Sequence, residues 1–374
     1  MIAAASLDLP VTLPGEDRTS PGWWDAFVAS APGGDIVQTS AWARAKEALG
    51  YESEVVTVER GGAIVGGGLL LIRRLAPRLR IGLLPRGPVL GSDEPELADK
   101  VLAMIVQAAR RRGVVHLLVQ PPADGPELGP ALRRLGFSQG GPAIATSATI
   151  VSDLTGGRDT VLAALAPSRR RRLRRAAEQG VSCWTGDAAD LELFHDLHSG
   201  TARRHGFAAL SLPYLRAHWE ALAPVGGCAL ILAGRNGRVS AARWLTAHGE
   251  TVTGRLSGWN GDDRHLHAPL VSAWGAVDWA IHRGFRQFDF GGIDRTVAAQ
   301  MLAGTATPDL LQRSAAAFKA DFGGSPRLFP PTWQLCLIPV LRPLAHRLVG
   351  RMAEPGRMRG VLTRLRNGHG ARNA

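Results

Sequence analysis

Cysteine is scarce in this chain of 374 residues, and its scarcity excludes several kinds of site. The three cysteines, Cys183, Cys228 and Cys336, form an odd number with no paired spacing. Such a pattern argues against a disulfide framework, a zinc site and an iron–sulfur site. We therefore expect a protein of a reducing compartment.

Long apolar runs and a targeting segment are also lacking. Residues 1–17 have no basic stretch before their apolar residues, and no apolar run reaches the roughly 18 residues needed to span a bilayer. From the sequence we expect a soluble, cytoplasmic protein.

Lysine is the third shortage. Only Lys46, Lys100 and Lys319 are lysines among the 44 basic residues, and the other 41 are arginines. This skew is typical of a high-GC genome, which encodes arginine wherever any cation suffices. A retained lysine is then a candidate for a site that needs a compact point charge without a planar fork, with chance survival as the alternative.

The charge that is present is strongly positive. The net charge of +12 favours a polyanionic partner, because basic surface attracts phosphate at long range. The most concentrated stretch is a predicted helix over 168–180, capped by Ser168 and closed by Gly180. We predict that it contacts an anionic polymer, since repulsion among its arginines costs stability; a solvated basic helix is the alternative. Its arginines are Arg169, Arg170, Arg171, Arg172, Arg174 and Arg175.

The chain is also internally repetitive. Its length exceeds what one core usually supports, so two domains are expected. Three strands, a helix that ends before Gly113 and a short strand recur as three strands, a helix that ends before Gly284 and a short strand. This order predicts a duplicated α/β unit. The predicted strands are 54–59, 64–73, 79–84 and 114–119, then 229–233, 239–247, 251–257 and 285–290.

The second copy ends in a glycine turn. Gly291 and Gly292 lie between Asp289 and Asp294, and adjacent glycines permit backbone angles and close approaches that side chains forbid. An ordinary helix-to-strand crossover is the alternative interpretation. The pattern then predicts a loop over 296–308, a helix over 310–322 and a final strand over 332–338.

Three further segments complete the pattern. A helix capped by Ser40 places Trp42 and Lys46, four residues apart, on one face. His195 and His198 have helical spacing but no nearby Glu or Cys to complete a ligand set, so we expect no metal site. The pattern of residues 339–374 predicts two short, basic, amphipathic helices, each too short to be stable unless it docks on another surface. Packing on the protein body, contact with the inner surface of the plasma membrane and contact with RNA remain open for them.

Six blocks occur in an order that resembles the Fem family (FemA/FemB/FemX), aminoacyltransferases that build peptidoglycan cross-bridges from aminoacyl-tRNA. The similarity covers about residues 35–338. The blocks are QTSAWARAK (38–46), PRGPVL (85–90), RRRRLRRAAEQGV (169–181), TARRHGF (201–207), WGAVDWAIHRGFRQFDFGGID (274–294) and FKADFGG (318–324).

The resemblance implies an α/β (α+β) fold of two tandem GNAT-like domains, that is, of the acyl-CoA N-acyltransferase-like type. We expect the first domain at 1–152 with a returning strand at 332–338, the second at 153–331, and a basic extension at 339–374. In the implied reaction, an amine of a peptidoglycan precursor attacks the ester that joins an amino acid to tRNA. An aminoacyl ester is already activated, so no cofactor is expected.

The resemblance also implies roles for particular residues. Lys46 and Arg204 match positions that bind the phosphates of the precursor, whereas Phe318 and Lys319 match the transfer centre. Trp42 and Ser257 are assigned with Lys46 to the substrate-binding set. The six arginines of 169–175 are assigned to tRNA, and Asp289, Gly291, Gly292 and Asp294 to the structural signature of the family.

At two positions that bear on recognition of the acceptor amine, the chain departs from the pattern of the Fem family. Gln120 stands where an acidic residue often ends the strand, and Ser257 stands where tyrosine is common, so recognition of the acceptor can differ. A tRNA-dependent enzyme acting on a small amine or peptide in antibiotic biosynthesis therefore remains open. An acyl-CoA N-acetyltransferase is a further alternative, although RGPVLG at 86–91 has the wrong spacing to hold a pyrophosphate. A non-enzymatic protein that binds RNA or a membrane surface is the last.

Overall fold

The computed structural model describes residues 22–76, 79–262, 264–307, 309–310 and 314–338. The predicted tail helices of 339–374 lie outside the described residues. The described helices are α1 (Gly22–Ser30), α2 (Ser40–Glu47), α3 (Pro95–Arg111), α4 (Gly129–Arg134), α5 (Gly157–Ala164), α6 (Pro167–Glu178), α7 (Leu191–His205), α8 (Leu212–Leu222), α9 (Ala268–His282), α10 (Arg295–Leu302) and α11 (Ala315–Ala320).

The described strands form two sheets. Those of the first are β1 (Tyr51–Arg60), β2 (Ala63–Ala76), β3 (Leu79–Pro85), β4 (Val89–Leu90), β5 (Val114–Gln120), β6 (Ser138–Gln139) and β14 (Trp333–Cys336). Those of the second are β7 (Ala148–Asp153), β8 (Val181–Gly186), β9 (Cys228–Arg235), β10 (Arg238–His248), β11 (Thr251–Trp259), β12 (Gln287–Asp289) and β13 (Ser325–Leu328).

The first sheet has the order β1-β2-β3-β5-β14-β6, with β4 paired to β2. Strands β1, β2 and β3 are antiparallel, whereas β3 and β5 are parallel because α3 carries the chain back across the sheet. Helix α3 begins with Pro95 and is followed by Gly113 at φ 68°, a left-handed conformation that ends the helix.

The second sheet repeats this arrangement in the order β13-β7-β12-β11-β10-β9-β8. Strands β9, β10 and β11 are antiparallel, and α9 connects the parallel pair β11 and β12. After α9, Gly284 has φ 80°, as Gly113 does after α3. The duplicated α/β unit predicted from the sequence is therefore confirmed.

The domain boundary predicted at residue 152 does not coincide with the change from the first sheet to the second. It falls inside β7, which pairs with β12 and β13 in the second sheet, so the change of sheet lies before Ala148. Pairing between distant strands decides this assignment, and sequence alone does not display it. The last strand, β14, lies between β5 and β6 in the first sheet, where Trp333 is buried.

Two predicted helix caps are also wrong. Thr39, not Ser40, caps α2, because its side chain accepts a hydrogen bond from the Trp42 backbone N–H, while Ser40 bonds to Asp25. Helix α6 begins at Pro167 without a side-chain cap, so Ser168 lies inside its first turn.

The predicted loop over 296–308 contains a helix. The Asp294 carboxylate accepts hydrogen bonds from the backbone N–H groups of Thr296 and Val297 at 2.8 and 3.1 Å and so starts α10. Of the helix predicted over 310–322, the described part contains α11 at Ala315–Ala320, which has Phe318 and Lys319 in its last turn.

Three apolar layers hold the two sheets. One lies between the first sheet and α3, and another between the second sheet and α9. The third joins the facing sides of both sheets with α2, α7 and α8, and Trp42 and Trp244 are buried in it. Within the described residues, no helix is long and apolar enough to cross a bilayer.

Candidate functional site

A polar cavity of about 150 Å³ lies where the two halves of the chain meet. The first half contributes Asp35 and Arg86 to its wall, and the second contributes Arg255 and Asp289. Charged side chains of both signs therefore face one shared cavity, which suits a substrate that carries charge of its own.

Lys319 lies beside the glycine turn after β12. Its Nζ donates hydrogen bonds to the carbonyl oxygens of Gly291 and Gly292 at 2.9 and 2.7 Å. Burial, followed by the charge of Arg243, lowers the pKa of Lys319 to about 8. Gly291 has φ 77°, and a Cβ there would lie 2.6 Å from the carbonyl oxygen of Gly254, so this position requires glycine.

Asp289 lies on the other side of the same turn. Its Oδ1 accepts hydrogen bonds from the Thr149 hydroxyl and from the Gly291 N–H, the latter at 2.6 Å. Burial raises the pKa of Asp289, whereas these two hydrogen bonds and the charge of Lys319 act in the opposite direction. The Gly291 backbone thus contacts the Asp289 carboxylate through its N–H and the Lys319 ammonium through its C=O.

Phe318, which precedes Lys319 in α11, contacts the arginine-rich helix α6. The Arg169 guanidinium lies 5.0 Å from the centre of the Phe318 ring and pairs with Asp321 at 2.8 Å. Arg170 donates to the carbonyl oxygens of Ala163 and Leu165 at the end of α5. These two arginines anchor α6 to the protein.

The other four arginines assigned to tRNA are exposed. In the part of the chain that the structure describes, they make no hydrogen bond or ion pair, so their charge is available to a partner. They are Arg171, Arg172, Arg174 and Arg175.

Lys46 belongs to a cluster of cations around Trp42. Its Nζ lies 3.2 Å from the Tyr214 hydroxyl oxygen and 4.8 Å from the centre of the Trp42 ring, over which the Arg255 guanidinium lies at 4.3 Å. Burial, then the charges of Arg255 and Arg73, lower the pKa of Lys46 to about 7. We call Lys46, Arg73 and Arg255 the cationic cluster.

The cationic cluster is suited to a ligand with several negative charges. Among the described residues, no carboxylate forms an ion pair with any of its three members. Cations held together repel one another, and an anion such as phosphate relieves that repulsion.

Arg204 is engaged elsewhere. Its guanidinium donates to the carbonyl oxygens of Trp259 and Asn260 and to the Thr201 hydroxyl, and no described contact joins it to Lys46. The structure thus brings Arg255 to Lys46 and does not bring Arg204 there.

Ser257 lies two residues beyond Arg255 on β11, with an exposed side chain. Its carbonyl oxygen is 3.0 Å from Nδ1 of His198, a contact that holds α7 against the strand. The serine hydroxyl is therefore open to the surface beside the cationic cluster, and its assignment to the acceptor stays a prediction.

The remaining predicted positions have structural contacts. The Gln120 side chain donates to the Thr146 carbonyl oxygen and accepts from the Ala145 N–H, so it connects the end of β5 to the chain before β7. Asp294 caps α10. Among the described residues, no group of three or more His, Cys, Asp or Glu side chains is arranged to hold a metal ion.

Sequence reasoning missed Arg73, Arg255, Tyr214 and Thr149. For Arg255 a signal was present, because residues two apart in a strand share a face and Ser257 had already been assigned to the site. The other three come from elements distant in sequence, and only tertiary packing places them beside Lys46 and Asp289.

Two family profiles match the chain. The FemAB family matches residues 20–126, and the acetyltransferase (GNAT) domain matches residues 167–298. Lipid II:glycine glycyltransferase of Staphylococcus epidermidis is 27% identical over 220 residues, which cover 56% of this chain and 53% of that protein. The Staphylococcus aureus protein of the same name is 26% identical, with 56% and 52% covered. The chain spans about half the length of these curated relatives.

Solved structures share the fold. The crystal structure of FemX superimposes with a TM-score of 0.77 at 18% identity, covering 87% of this chain and 98% of that one. A tandem GNAT protein from the clavulanic acid biosynthesis pathway gives a TM-score of 0.50 at 14% identity, covering 85% and 95%. The expected α/β fold of two tandem GNAT-like domains is therefore confirmed. The FemAB profile and the GNAT profile thus match successive parts of one duplicated fold, and the chain is similar in sequence to the glycyltransferases named above and in fold to FemX.

Proposed function

We propose that this protein transfers an aminoacyl group from aminoacyl-tRNA to an amine of a phosphate-containing peptidoglycan precursor. The curated relatives named Lipid II:glycine glycyltransferase support an aminoacyl transfer of this kind. The contact that carries the proposal is the stacking of Arg169 on Phe318, because it joins the arginine-rich helix to the residue that precedes Lys319.

The aminoacyl-tRNA donor would bind along α6. A nucleic acid backbone bound by the exposed arginines of this helix would run toward Phe318, and its aminoacylated 3′ end would lie at Lys319. An aminoacyl ester needs orientation and stabilisation of developing negative charge more than it needs activation. The Lys319 ammonium, held by two carbonyl oxygens, supplies a cation for the tetrahedral intermediate.

The acceptor is proposed on the opposite side of the cavity. The cationic cluster binds the phosphates of the precursor, and Arg255 belongs both to this cluster and to the cavity wall. A precursor bound there by its phosphates would extend its amine toward Asp289. A lipid-linked precursor of this type would require the protein to work at the inner face of the plasma membrane.

Purified protein incubated with individually charged tRNAs and the precursor tests the proposal. We expect the stem peptide to gain the mass of one amino-acid residue with at least one charged tRNA, and no gain with uncharged tRNA. If every charged tRNA fails with both the lipid-linked and the soluble precursor, the proposed acceptor is wrong.

The same assay includes the two alternatives. Transfer from charged tRNA to a small amine or peptide in preference to the precursor would favour an acceptor from antibiotic biosynthesis, for which Gln120 and Ser257 are the motivation. Transfer from acetyl-CoA is not expected at residues 86–91, since RGPVLG has the wrong spacing for a pyrophosphate and its proline removes an amide donor.

A further inference from the structure

Of the two carboxylate oxygens of Asp289, one accepts hydrogen bonds from described residues and the other does not. Oδ1 accepts from the Thr149 hydroxyl and the Gly291 N–H, whereas Oδ2 accepts no hydrogen bond from any described residue. Because Asp289 belongs to the wall of the cavity, this second oxygen is available to a ligand there. A carboxylate with one fixed oxygen and one open oxygen is oriented to accept a proton or bind an ammonium group.

The other acidic groups of the cavity are already paired. Asp35 accepts from the Val37 N–H and lies 3.8 Å from the Arg86 guanidinium, and Asp124 pairs with Arg327. Gln120 at the end of β5 is an amide, which is not basic enough to accept a proton, and it is engaged by backbone groups. His248 also lines the cavity and is the remaining candidate base there.

The cations that face Asp289 come from several elements. Lys319 lies across Gly291 from Asp289, and Arg86 and Arg255 belong to other parts of the cavity wall. Lys319 donates to the turn carbonyls and not to the carboxylate, so the acid and the cation stay separate. A reacting ester at the turn would therefore meet a cation on one side and a carboxylate on the other.

We propose that Asp289 is the general base that accepts the proton of the attacking amine. This rests on the proposed function. The amine nitrogen forms a bond to the ester carbonyl carbon, the carbonyl electron pair moves to the oxygen beside Lys319, and the amine proton moves to Asp289 Oδ2. When the carbon–oxygen bond to the ribose breaks, Asp289 returns that proton to the departing ribose oxygen. The products are an amide and tRNA with a free hydroxyl, and the enzyme is unchanged.

Asp289→Asn is the decisive variant, because the Asn Oδ1 can still accept from Thr149 and Gly291 while the open position loses its basicity. We expect kcat to fall about 10²- to 10⁴-fold, the range that general base catalysis supplies, with KM for aminoacyl-tRNA within about threefold. The wild-type rate should fall as pH falls through the pKa of Asp289, which burial raises above its ordinary 3.8. In Asp289→Asn this acid limb should disappear.

Two further variants separate catalysis from structure. Formate added to Asp289→Ala should restore part of the rate, which a purely structural role would not allow. Asp294→Asn, in the same sequence block, should transfer normally because asparagine also caps helices well. Activity of Asp289→Asn within threefold of wild type, or loss of the acid limb in His248→Gln in its place, would overturn the assignment.

Binding of an amine in the absence of any acyl donor tests the role of Asp289 separately from the proposed function. Nα-acetyl-lysine amide should bind the wild-type protein and bind Asp289→Asn at least about fivefold more weakly, as observed by NMR titration. If the wild type transfers nothing, the proposed function fails, and this titration still decides Asp289: equal binding by both proteins overturns its contact with the amine.

Discussion

At the scale of single residues, Lys46 lies in surroundings that oppose its charge. Burial and the neighbouring guanidinium groups of Arg255 and Arg73 lower its pKa to about 7 from 10.5. The unfolded chain therefore binds more protons than the folded one between these two values, and stability rises with pH across that window. The charge is retained at a cost that a bound phosphate would offset.

Lys46→Met should consequently stabilise the protein and weaken its binding of the precursor. The increase in melting temperature should be greatest below pH 7, where Lys46 is charged in both states, and should shrink toward pH 10.5. Affinity for the precursor should fall about 10- to 100-fold, since a charge-assisted hydrogen bond contributes about 1.5–3 kcal/mol. Calorimetry measures both. Lys100→Met removes an exposed lysine and is the matched control. A lower melting temperature in Lys46→Met would contradict the prediction.

Lys319→Met should reduce transfer without a comparable loss of folding. Removal of one donor to a developing oxyanion costs about 10²- to 10³-fold in kcat. Because the cation is the active form and its pKa is about 8, the wild-type rate should decline as pH rises through that value. The residual rate of the variant should show no such decline. Steady-state kinetics from pH 6 to about 10 test this, with Lys100→Met again as control. A variant as active as wild type would remove Lys319 from the mechanism.

At the scale of elements, α6 combines an anchored face with a free one. Arg169 and Arg170 bond to the protein, while the four exposed arginines make no described contact. A helix built only to present charge would not need the stacking of Arg169 on Phe318. The anchoring fixes the position of the free arginines relative to Phe318 and Lys319, where transfer is proposed.

Arg171→Gln/Arg174→Gln should weaken tRNA binding and reduce its dependence on salt. The slope of log affinity against log salt should decrease by about 0.7–0.9 for each arginine that contacts a phosphate. Filter binding over a range of salt concentrations measures the slope. Arg44→Gln/Arg238→Gln removes the same charge from exposed positions on other elements and should leave the slope unchanged. Equal slopes for both double variants would mean that binding depends on net charge and not on α6.

At the scale of the whole molecule, the first sheet is completed by a strand from the end of the described chain. Strand β14 inserts between β5 and β6, and its Trp333 is 6% exposed in the first apolar layer. The chain thus returns to the first sheet after the second is complete. Stability of the first sheet therefore depends on a segment that lies beyond the whole second sheet in sequence.

Trp333→Ala should destabilise the protein strongly. Loss of a buried aromatic ring from a packed layer costs about 3–5 kcal/mol. The midpoint of urea unfolding should fall accordingly. Trp184→Ala is the matched control, since Trp184 is 37% exposed on the edge strand β8 and its loss should have little effect. Similar midpoints for the two variants would show that β14 contributes little to the first sheet.

Much of this protein was determined by its sequence alone. The duplicated unit was readable because the helices that end at Gly113 and Gly284 rely on the same local chemistry, an apolar face followed by a left-handed glycine. The scarcity of lysine left Lys46, Lys100 and Lys319 as candidates, and the resemblance selected Lys46 and Lys319 among them. The arginine-rich helix and the glycine turn were recognisable because periodicity, capping and backbone freedom are properties of neighbouring residues.

Only the tertiary structure decided which of these residues meet. It places Arg255 over Trp42 beside Lys46, a contact that the sequence did not suggest, and it assigns β7 to the second sheet. It also shows that Asp289 and Lys319 share one turn, with an open carboxylate oxygen in the cavity. Such contacts depend on strand pairing and packing between distant segments, and on the burial that shifts each pKa, and no local pattern in the sequence encodes either one.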